Sequence, residues 1–282
     1  MSSDADAEAF KAFEAAGWSA NADRYDRLTG RVSASVVEPL LDAAEVGRDT
    51  RVLDLGTGPG AMSAVAAGRG ARPVGVDLAE GMVEQARRLH PELEFVHGDA
   101  EALPFVDGGF DAAVAAFVVN HLPHPERAAA ELRRVLVPDG RVALAVWDVP
   151  ERVGILGPLA QALRAADAWA PDALPVGPDP YRFADDDEIQ RLLAGAGFAG
   201  ATVETVSFTH RVTDTGELWD GILSGSVRTA TRIRALEPGD RDRARAALEE
   251  AVAPYRGADG LSLPISVKLA RATRPGRPPG PG

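Results

Sequence analysis

The sequence predicts an α/β fold built on a doubly wound, mostly parallel sheet with helices on both faces. Three observations predict it. The apolar run Val52-Leu53-Asp54-Leu55 ends in Gly56-Thr57-Gly58-Pro59-Gly60, and an Ala- and Val-rich helical pattern follows, which is the order strand, Gly-rich turn, helix. A second apolar run ends in the acid Asp77, and a third leads from Glu94 into a turn carrying Asp99. Strand-like and helical patterns then alternate along the first half of the chain, as in successive βαβ units. Ligands of such sheets bind outside the carboxyl ends of the strands. The glycines and the two acids are therefore expected at one edge.

Each element follows in order from local pattern. Residues 7–17 are helical in pattern, and Trp18, Tyr25 and Asp26 come after them. Residues 32–44 form a further helix, interrupted early by Pro39. After the strand at 52–55, glycine permits backbone angles that other residues resist and lets a ligand approach the main chain. The helix at 61–67 offers free N–H groups at its start. A strand at 72–77, a helix at 79–90 and a strand from Glu94 to the Gly98-Asp99-Ala100 turn come next. Phe110 opens the fourth strand, which runs toward Asn120-His121-Leu122. An amphipathic helix covers 125–136, Pro138-Asp139-Gly140 makes a turn, and the fifth strand leads to Trp147. Residues 148–182 are rich in Pro and Gly around a helical pattern at 156–169, and read as an insertion. A capped helix at 185–195, an alternating strand at 201–208, helices at 214–227 and 240–253, and a strand at 263–269 complete the chain. Residues 272–282 are Pro/Gly-rich and expected to be a disordered tail.

Composition bounds the function. The 282 residues, 45% hydrophobic, suffice for one sizeable core with an accessory layer. No apolar run is long enough to span a bilayer, and the acidic start lacks the pattern of a signal peptide. Thirty basic against 42 acidic residues give a net charge of −12, which disfavours a general nucleic-acid surface. The chain has no cysteine, so disulfides, thiolate zinc sites and cysteine nucleophiles are excluded. No series of ligand residues suggests a metal site. A cytoplasmic location is expected.

The pattern apolar-apolar-Asp-apolar-Gly-x-Gly-x-Gly at 52–60 resembles the first motif of class I methyltransferases that use S-adenosylmethionine. With the ordered anchors at Asp77, Asp99-Ala100, 110–122 and 132–144, the stretch from Trp18 to Trp147 looks like the ubiquinone/menaquinone-biosynthesis type of small-molecule methyltransferase. The resemblance implies a Rossmann-like sheet of seven strands with the last antiparallel. It implies N-terminal helices (1–50) covering the cofactor site, a cofactor-binding core (51–147) and the remainder of the sheet (148–271). Cap insertions would lie after strand five (148–182) and between strands six and seven (214–254).

It also implies a cofactor set. Gly56, Thr57, Gly58 and Gly60 would leave room for the methionine portion and the sugar. Asp54 would order the loop or meet the ammonium, directly or through water. Asp77 would accept the ribose hydroxyls, with Leu78 beside it. Asp99 and Ala100 would sit at the adenine, the carboxylate near its exocyclic amino group. Met82 would cover the adenine, though methionine is also an ordinary core filler. Phe117 belongs to the same set. Tyr25 would reach the methionine carboxylate or, like Trp18, simply pack its helix on the domain.

Methyl transfer from a sulfonium needs alignment and exclusion of water. A hydroxyl or acidic-carbon acceptor also needs a base. Among the five histidines, His121 is the best placed, at the carboxyl edge after strand four, and its alternatives are a cofactor or structural role. His90 and His124 read as surface residues, His97 as structural, His210 as a weaker base. Trp147, Trp169, Tyr181, Phe183 and Trp219 suggest an apolar or aromatic acceptor or hold the cap to the sheet. The expected activity is methylation at oxygen or carbon of a small, largely apolar, quinone-like or natural-product metabolite. The expected partner is that small-molecule acceptor, without nucleic acid or membrane insertion; a homodimer is left open. Competing readings are an NAD-dependent oxidoreductase sharing the glycines and Asp77, and a fold that binds the cofactor but performs cyclisation or only binding.

Overall fold

The computed structural model describes residues 4–167 and 174–276. Its frame is one sheet. The strands are β1 (Arg51–Leu55), β2 (Arg72–Asp77), β3 (Glu94–His97), β4 (Phe110–Ala116), β5 (Leu136–Trp147), β6 (Ala199–Val212), β7 (Arg256–Gly257) and β8 (Gly260–Thr273). Their order is β3-β2-β1-β4-β5-β8-β6, and the two-residue β7 pairs with β8. Strands β1 to β5 pair in parallel, and β8 is antiparallel to both β5 and β6. The seven long strands and the antiparallel last strand match the expectation. The chain reverses its direction of winding between β1 and β4, so the crevice at the switch point opens beside the Gly-rich loop.

The helices are α1 (Asp4–Asn21), α2 (Thr29–Ala43), α3 (Ala61–Gly68), α4 (Glu80–Leu89), α5 (Pro125–Val135), α6 (Leu156–Ala165), α7 (Asp186–Gly195), α8 (Thr215–Gly225), α9 (Arg228–Ala235) and α10 (Pro238–Ala251). Alternation along β1 sends Leu53 and Leu55 into a core with Leu132 of α5 and Leu193 of α7. It sends Val52 into the opposite core with Leu40 and Leu41 of α2, Leu163 of α6 and Leu248 of α10. Burial on both faces explains why the parallel strands are almost wholly apolar. Asp185 caps α7 by accepting from Asp187 N at 2.9 Å, and Asp186 and Asp187 suit its positive end.

Several boundaries depart from the sequence expectation. Pro138-Asp139-Gly140 interrupts β5 as a bulge rather than preceding it. The pairing jumps from Phe110↔Leu136 to Ala112↔Arg141, and Asp139 takes φ +64°. Strand β8 continues through Ala272 and Thr273, which pair with Val142 and Arg141, so the proposed tail begins too early; its residues 277–282 lie outside the described residues. The helix expected at 214–227 ends at Gly225, where Thr29 Oγ1 donates to the Gly225 carbonyl at 2.6 Å. The chain then starts α9, which the sequence reading did not contain. The helix expected at 156–169 ends at Ala165, and Trp169 lies outside the described residues. Among the described residues no helix is long and apolar enough to cross a membrane.

Candidate functional site

At the end of β1 the chain turns under Asp54. This carboxylate is buried and accepts from Thr57 Oγ1 (2.7 Å), Ser63 N (3.1 Å) and Ser63 Oγ (2.7 Å). Burial pushes its pKa up, and the Thr57 and Ser63 donors oppose that rise. Its work is to tie the loop to the start of α3. Gly58 and Gly60 have φ of +52° and +90°. A Cβ at Gly60 would lie 2.7 Å from Phe95. At Gly58 the nearest atoms are those of the Tyr25 ring, 3.9 Å away, so that backbone stays open to a ligand.

Asp77 closes the loop from the neighbouring strand. Its Oδ2 accepts from Gly58 N at 2.9 Å and its Oδ1 from Ala79 N at 2.8 Å. Burial pushes it up to about 6, against these donors and the nearby His97, while the Asp54 charge adds to the rise. Each oxygen keeps a lone pair beyond its backbone donor. His97 Nε2 lies 2.9 Å from Leu78 O and fixes the turn after β2, the structural role the sequence suggested.

Helix α1 lies across this edge. Lys11 Nζ donates to Asp99 Oδ2 at 2.8 Å, Glu101 N donates to Asp99 Oδ1 at 2.8 Å, and Gly81 N donates to Ser19 Oγ at 3.1 Å. Trp18 and Tyr25 meet edge to face, with centroids 6.1 Å apart, and pack on Ala22, Ala79 and Met82. The Tyr25 hydroxyl lies 3.2 Å from Ser33 Oγ, and burial pushes its pKa up to about 12.

The end of β4 supplies the opposite wall. Phe117 has φ +58°, a strained conformation for a bulky side chain. Its N–H donates to Ala145 O at 2.8 Å, and its ring stacks on Trp147 at 4.2 Å. A short 3-10 turn, Val119–His121, follows. There His121 Nδ1 lies 3.3 Å from Glu14 Oε2, which also accepts from Trp18 Nε1 at 2.9 Å. Asn120 is 2% exposed, and neither of its amide atoms has a partner.

These segments enclose one cavity of about 690 Å³, within the range of small-molecule sites, roughly 300–1,000 Å³. Tyr25, Gly56, Gly58, Asp77 and Leu78 line it. So do Met82, Asp99, Ala100, Phe117 and His121. Asp54, Thr57 and Gly60 are not among the residues that line the cavity, and the buried Asp54 holds the loop through Thr57 and Ser63. Of the cap aromatics, Trp147 and Tyr181 reach the cavity, whereas Phe183 and Trp219 are buried in the core. His210 is buried on β6, away from the cavity. His124 is partly buried, with Nε2 3.5 Å from Asp4 Oδ1, and so departs from the expected surface placement. Glu14, Asn120, Arg228 and Arg232 were missed: on helical or turn segments they read as ordinary polar residues. Ile155, Leu159 and Leu163 around α6, and Ile222 of α8, form the apolar far wall. Among the described residues no group of three or more His, Asp or Glu could hold a metal ion.

Comparison with known proteins is consistent across three kinds of match. A family model described as a methyltransferase domain matches residues 53–144. The demethylmenaquinone methyltransferase of Paenarthrobacter aurescens is 32% identical over 182 residues, covering 60% of this chain and 70% of that protein. Other relatives of the same description match over only 42%, 55% and 47% of their own length. The YcgJ protein of Bacillus subtilis shares the fold, with a TM-score of 0.55, 20% identity, and coverage of 86% of this chain and 99% of that one. Phosphoethanolamine N-methyltransferase 2 of Haemonchus contortus, in complex with S-adenosyl-L-methionine, gives a TM-score of 0.53 at 18% identity, covering 86% of this chain and 52% of that one.

Proposed function

The chain belongs to the class I S-adenosylmethionine-dependent methyltransferases of the menaquinone/ubiquinone type, and from that premise we propose that it methylates an oxygen or carbon of a small, largely apolar acceptor. It is an enzyme, and its cofactor is S-adenosyl-L-methionine. Membership sets aside the nicotinamide reading. The observation that carries the acceptor class is the shared cavity, in which the Gly-loop residues and the apolar wall of α6 and α8 face one space.

The residues present fit the cofactor. Gly58 offers an open backbone, and Asp77 has lone pairs free for two ribose hydroxyls. Leu78, Met82 and Ala100 supply an apolar slot for a base beside Asp99. Helix α1, held to Asp99 through Lys11, lines the same cavity and is placed to shield a bound cofactor from water. When bound, the cofactor supplies a methyl group on a positively charged sulfur, so the leaving group needs no proton.

The chain's own task is then to orient the acceptor and take its proton. The Phe117–Trp147 stack offers a flat apolar face to a ring. His121, with Nδ1 turned to Glu14, leaves Nε2 to accept a proton from an acceptor hydroxyl. Glu14 is a positioning residue that holds the ring's tautomer and direction.

Because the relative is named for demethylmenaquinone, the first acceptors to test are reduced naphthoquinones with short prenyl chains. Transfer of labelled methyl from the cofactor into extractable product is expected with wild type and is expected to drop steeply in His121→Ala. Label transfer undiminished in His121→Ala would remove the base assignment. Consumption of an acceptor with no label incorporated would favour non-methyl-transfer chemistry.

A further inference from the structure

Helix α1 turns one face to the cavity. Phe10, Lys11, Glu14, Ala15 and Trp18 line it, at the three- and four-residue spacing of a helix stripe. Lys11 is the cation of that face. Its side chain is 12% exposed, and its Nζ lies 2.6 Å from Glu8 Oε1, 2.8 Å from Asp99 Oδ2 and 3.6 Å from Glu101 Oε2. An ammonium has three donors, and three carboxylates surround this one. Its donors are turned to the protein rather than to a ligand. Burial opposes its charge, but the hydrogen bonds to Asp99 and Glu8 outweigh burial and raise its pKa, so the charge persists at neutral pH.

Asp99 is the carboxylate of this group that lines the cavity. The Glu101 side chain is 3% exposed and accepts from His124 N at 2.8 Å, and Glu8 stands in solvent. Within the turn, Ala102 N donates to Asp99 O at 3.0 Å and Glu101 N to Asp99 Oδ1 at 2.8 Å. Lys11 is the tie that reaches the other oxygen, Oδ2, from a different element. Asp99 and Glu101 are like charges two residues apart, and the Asp99 side chain is partly exposed, with a route to solvent. The ammonium between them offsets their repulsion and keeps Asp99 at the cavity wall. A carboxylate held in this way has a lone pair left on each oxygen and no donor. It suits a ligand N–H and rejects a ligand carbonyl, and a site built to meet an N–H discriminates strongly against an analogue that lacks it.

We propose that Lys11 is a positioning residue for recognition of the cofactor's base: acting through Asp99, it sets how strongly the site prefers a purine with an exocyclic amino group to one with a carbonyl in its place. The proposal rests on reading this cavity as the cofactor site with the base beside Asp99. It adds to that reading a specificity residue on α1, outside the strand-and-turn motifs, and makes the covering helix part of the discrimination.

The test is calorimetric titration with S-adenosylhomocysteine and with S-inosylhomocysteine, its deaminated analogue, in which a carbonyl replaces the exocyclic amino group. Wild type is expected to bind the amino ligand about tenfold or more tightly. Lys11→Met and Lys11→Gln are each expected to cut that preference severalfold, and Lys11→Arg, which keeps the charge, to retain more of it. Ser19→Ala removes a second tie of α1, the one from Gly81 N at 3.1 Å, without touching Asp99. It is expected to weaken both ligands alike and leave the preference intact. A preference undiminished in both Lys11→Met and Lys11→Gln would overturn the proposal. So would an equal loss of preference in Ser19→Ala, which would assign the effect to seating of the helix. Asp99→Ala separates the two readings. Preference lost there but kept in the Lys11 variants removes the role of Lys11 and retains the base beside Asp99. Preference kept in Asp99→Ala, equal binding of the two ligands by wild type, or no binding of either removes the placement of the base and the proposal with it.

Discussion

His121 Nδ1 and Glu14 Oε2 stand 3.3 Å apart, one on the turn after β4 and the other on α1. The contact joins the sheet edge to the helix that covers it. If His121 takes the acceptor's proton, Glu14 governs which ring nitrogen is free to do so. Glu14→Gln is expected to lower kcat roughly tenfold and His121→Ala roughly a hundredfold or more, with S-adenosylhomocysteine affinity little changed in the first. Single-turnover methyl transfer in parallel with calorimetry checks this. A Glu14→Gln enzyme with full kcat would reduce the contact to packing.

Asp77 gives the site a pH dependence whose sign is fixed. Burial holds its carboxyl up at about 6, and the ionised form is the one that accepts ribose hydroxyls. Below about pH 6 the carboxyl must lose a proton before the cofactor binds, so affinity should fall, approaching about tenfold per pH unit. Above pH 7 it should be flat. Calorimetry between pH 5 and 8, run in buffers of different ionisation enthalpy, reads both the slope and the proton release. An affinity flat across that range would detach Asp77 from the ribose.

The same raised pKa bears on stability with the opposite sense. Protonated Asp77 favours the folded state. That contribution is full below the ordinary carboxylate range and is lost as pH rises through about 6. Wild type should therefore lose melting temperature by this contribution as pH rises through about 6, and Asp77→Asn, which has no carboxyl to titrate, should lack that step while binding S-adenosylhomocysteine at least about tenfold more weakly. Its amide can accept from only one of Gly58 N and Ala79 N, so the comparison is between the pH slopes of the two melts, and an identical slope in both would detach Asp77 from the effect.

Gly58 and Gly60 should separate binding from folding. Both take positive φ, so an alanine costs about 1 kcal/mol at either. At Gly60 the new Cβ would also press on Phe95 at 2.7 Å, adding roughly 1–3 kcal/mol of overpacking. At Gly58 it meets only the Tyr25 ring at 3.9 Å and projects toward the space reserved for the cofactor. Thermal melts should show the larger loss for Gly60→Ala, and calorimetry the larger loss for Gly58→Ala. The reverse order would place the cofactor elsewhere.

What the sequence made legible was local. The strand at Val52–Leu55 and its glycines follow from apolar runs and turn chemistry over a few residues, and ten of the site residues named from these motifs and from the family resemblance line one cavity. The pairing of Glu14 with His121 was not legible, because the two lie on segments that meet only through tertiary packing. Helix α9 escaped because Val227 gives no capping signal and Gly225 and Ser226 stop α8 without a proline. Arg228 and Arg232 therefore fell between the helices expected at 214–227 and 240–253 and were assigned to no element. The positive φ of Phe117 has no marker at all: nothing in an aromatic side chain announces a left-handed backbone, which the Trp147 stack and the Ala145 hydrogen bond enforce here.

The central claim is that the cofactor binds between the Gly-loop and α1, with the ribose on Asp77. The most direct measurement is calorimetric titration of wild type, Asp77→Asn and Gly58→Ala with S-adenosylhomocysteine. The account predicts one site of micromolar-range affinity in wild type, weakened at least about tenfold in each variant. Undiminished binding in Asp77→Asn and Gly58→Ala would contradict it.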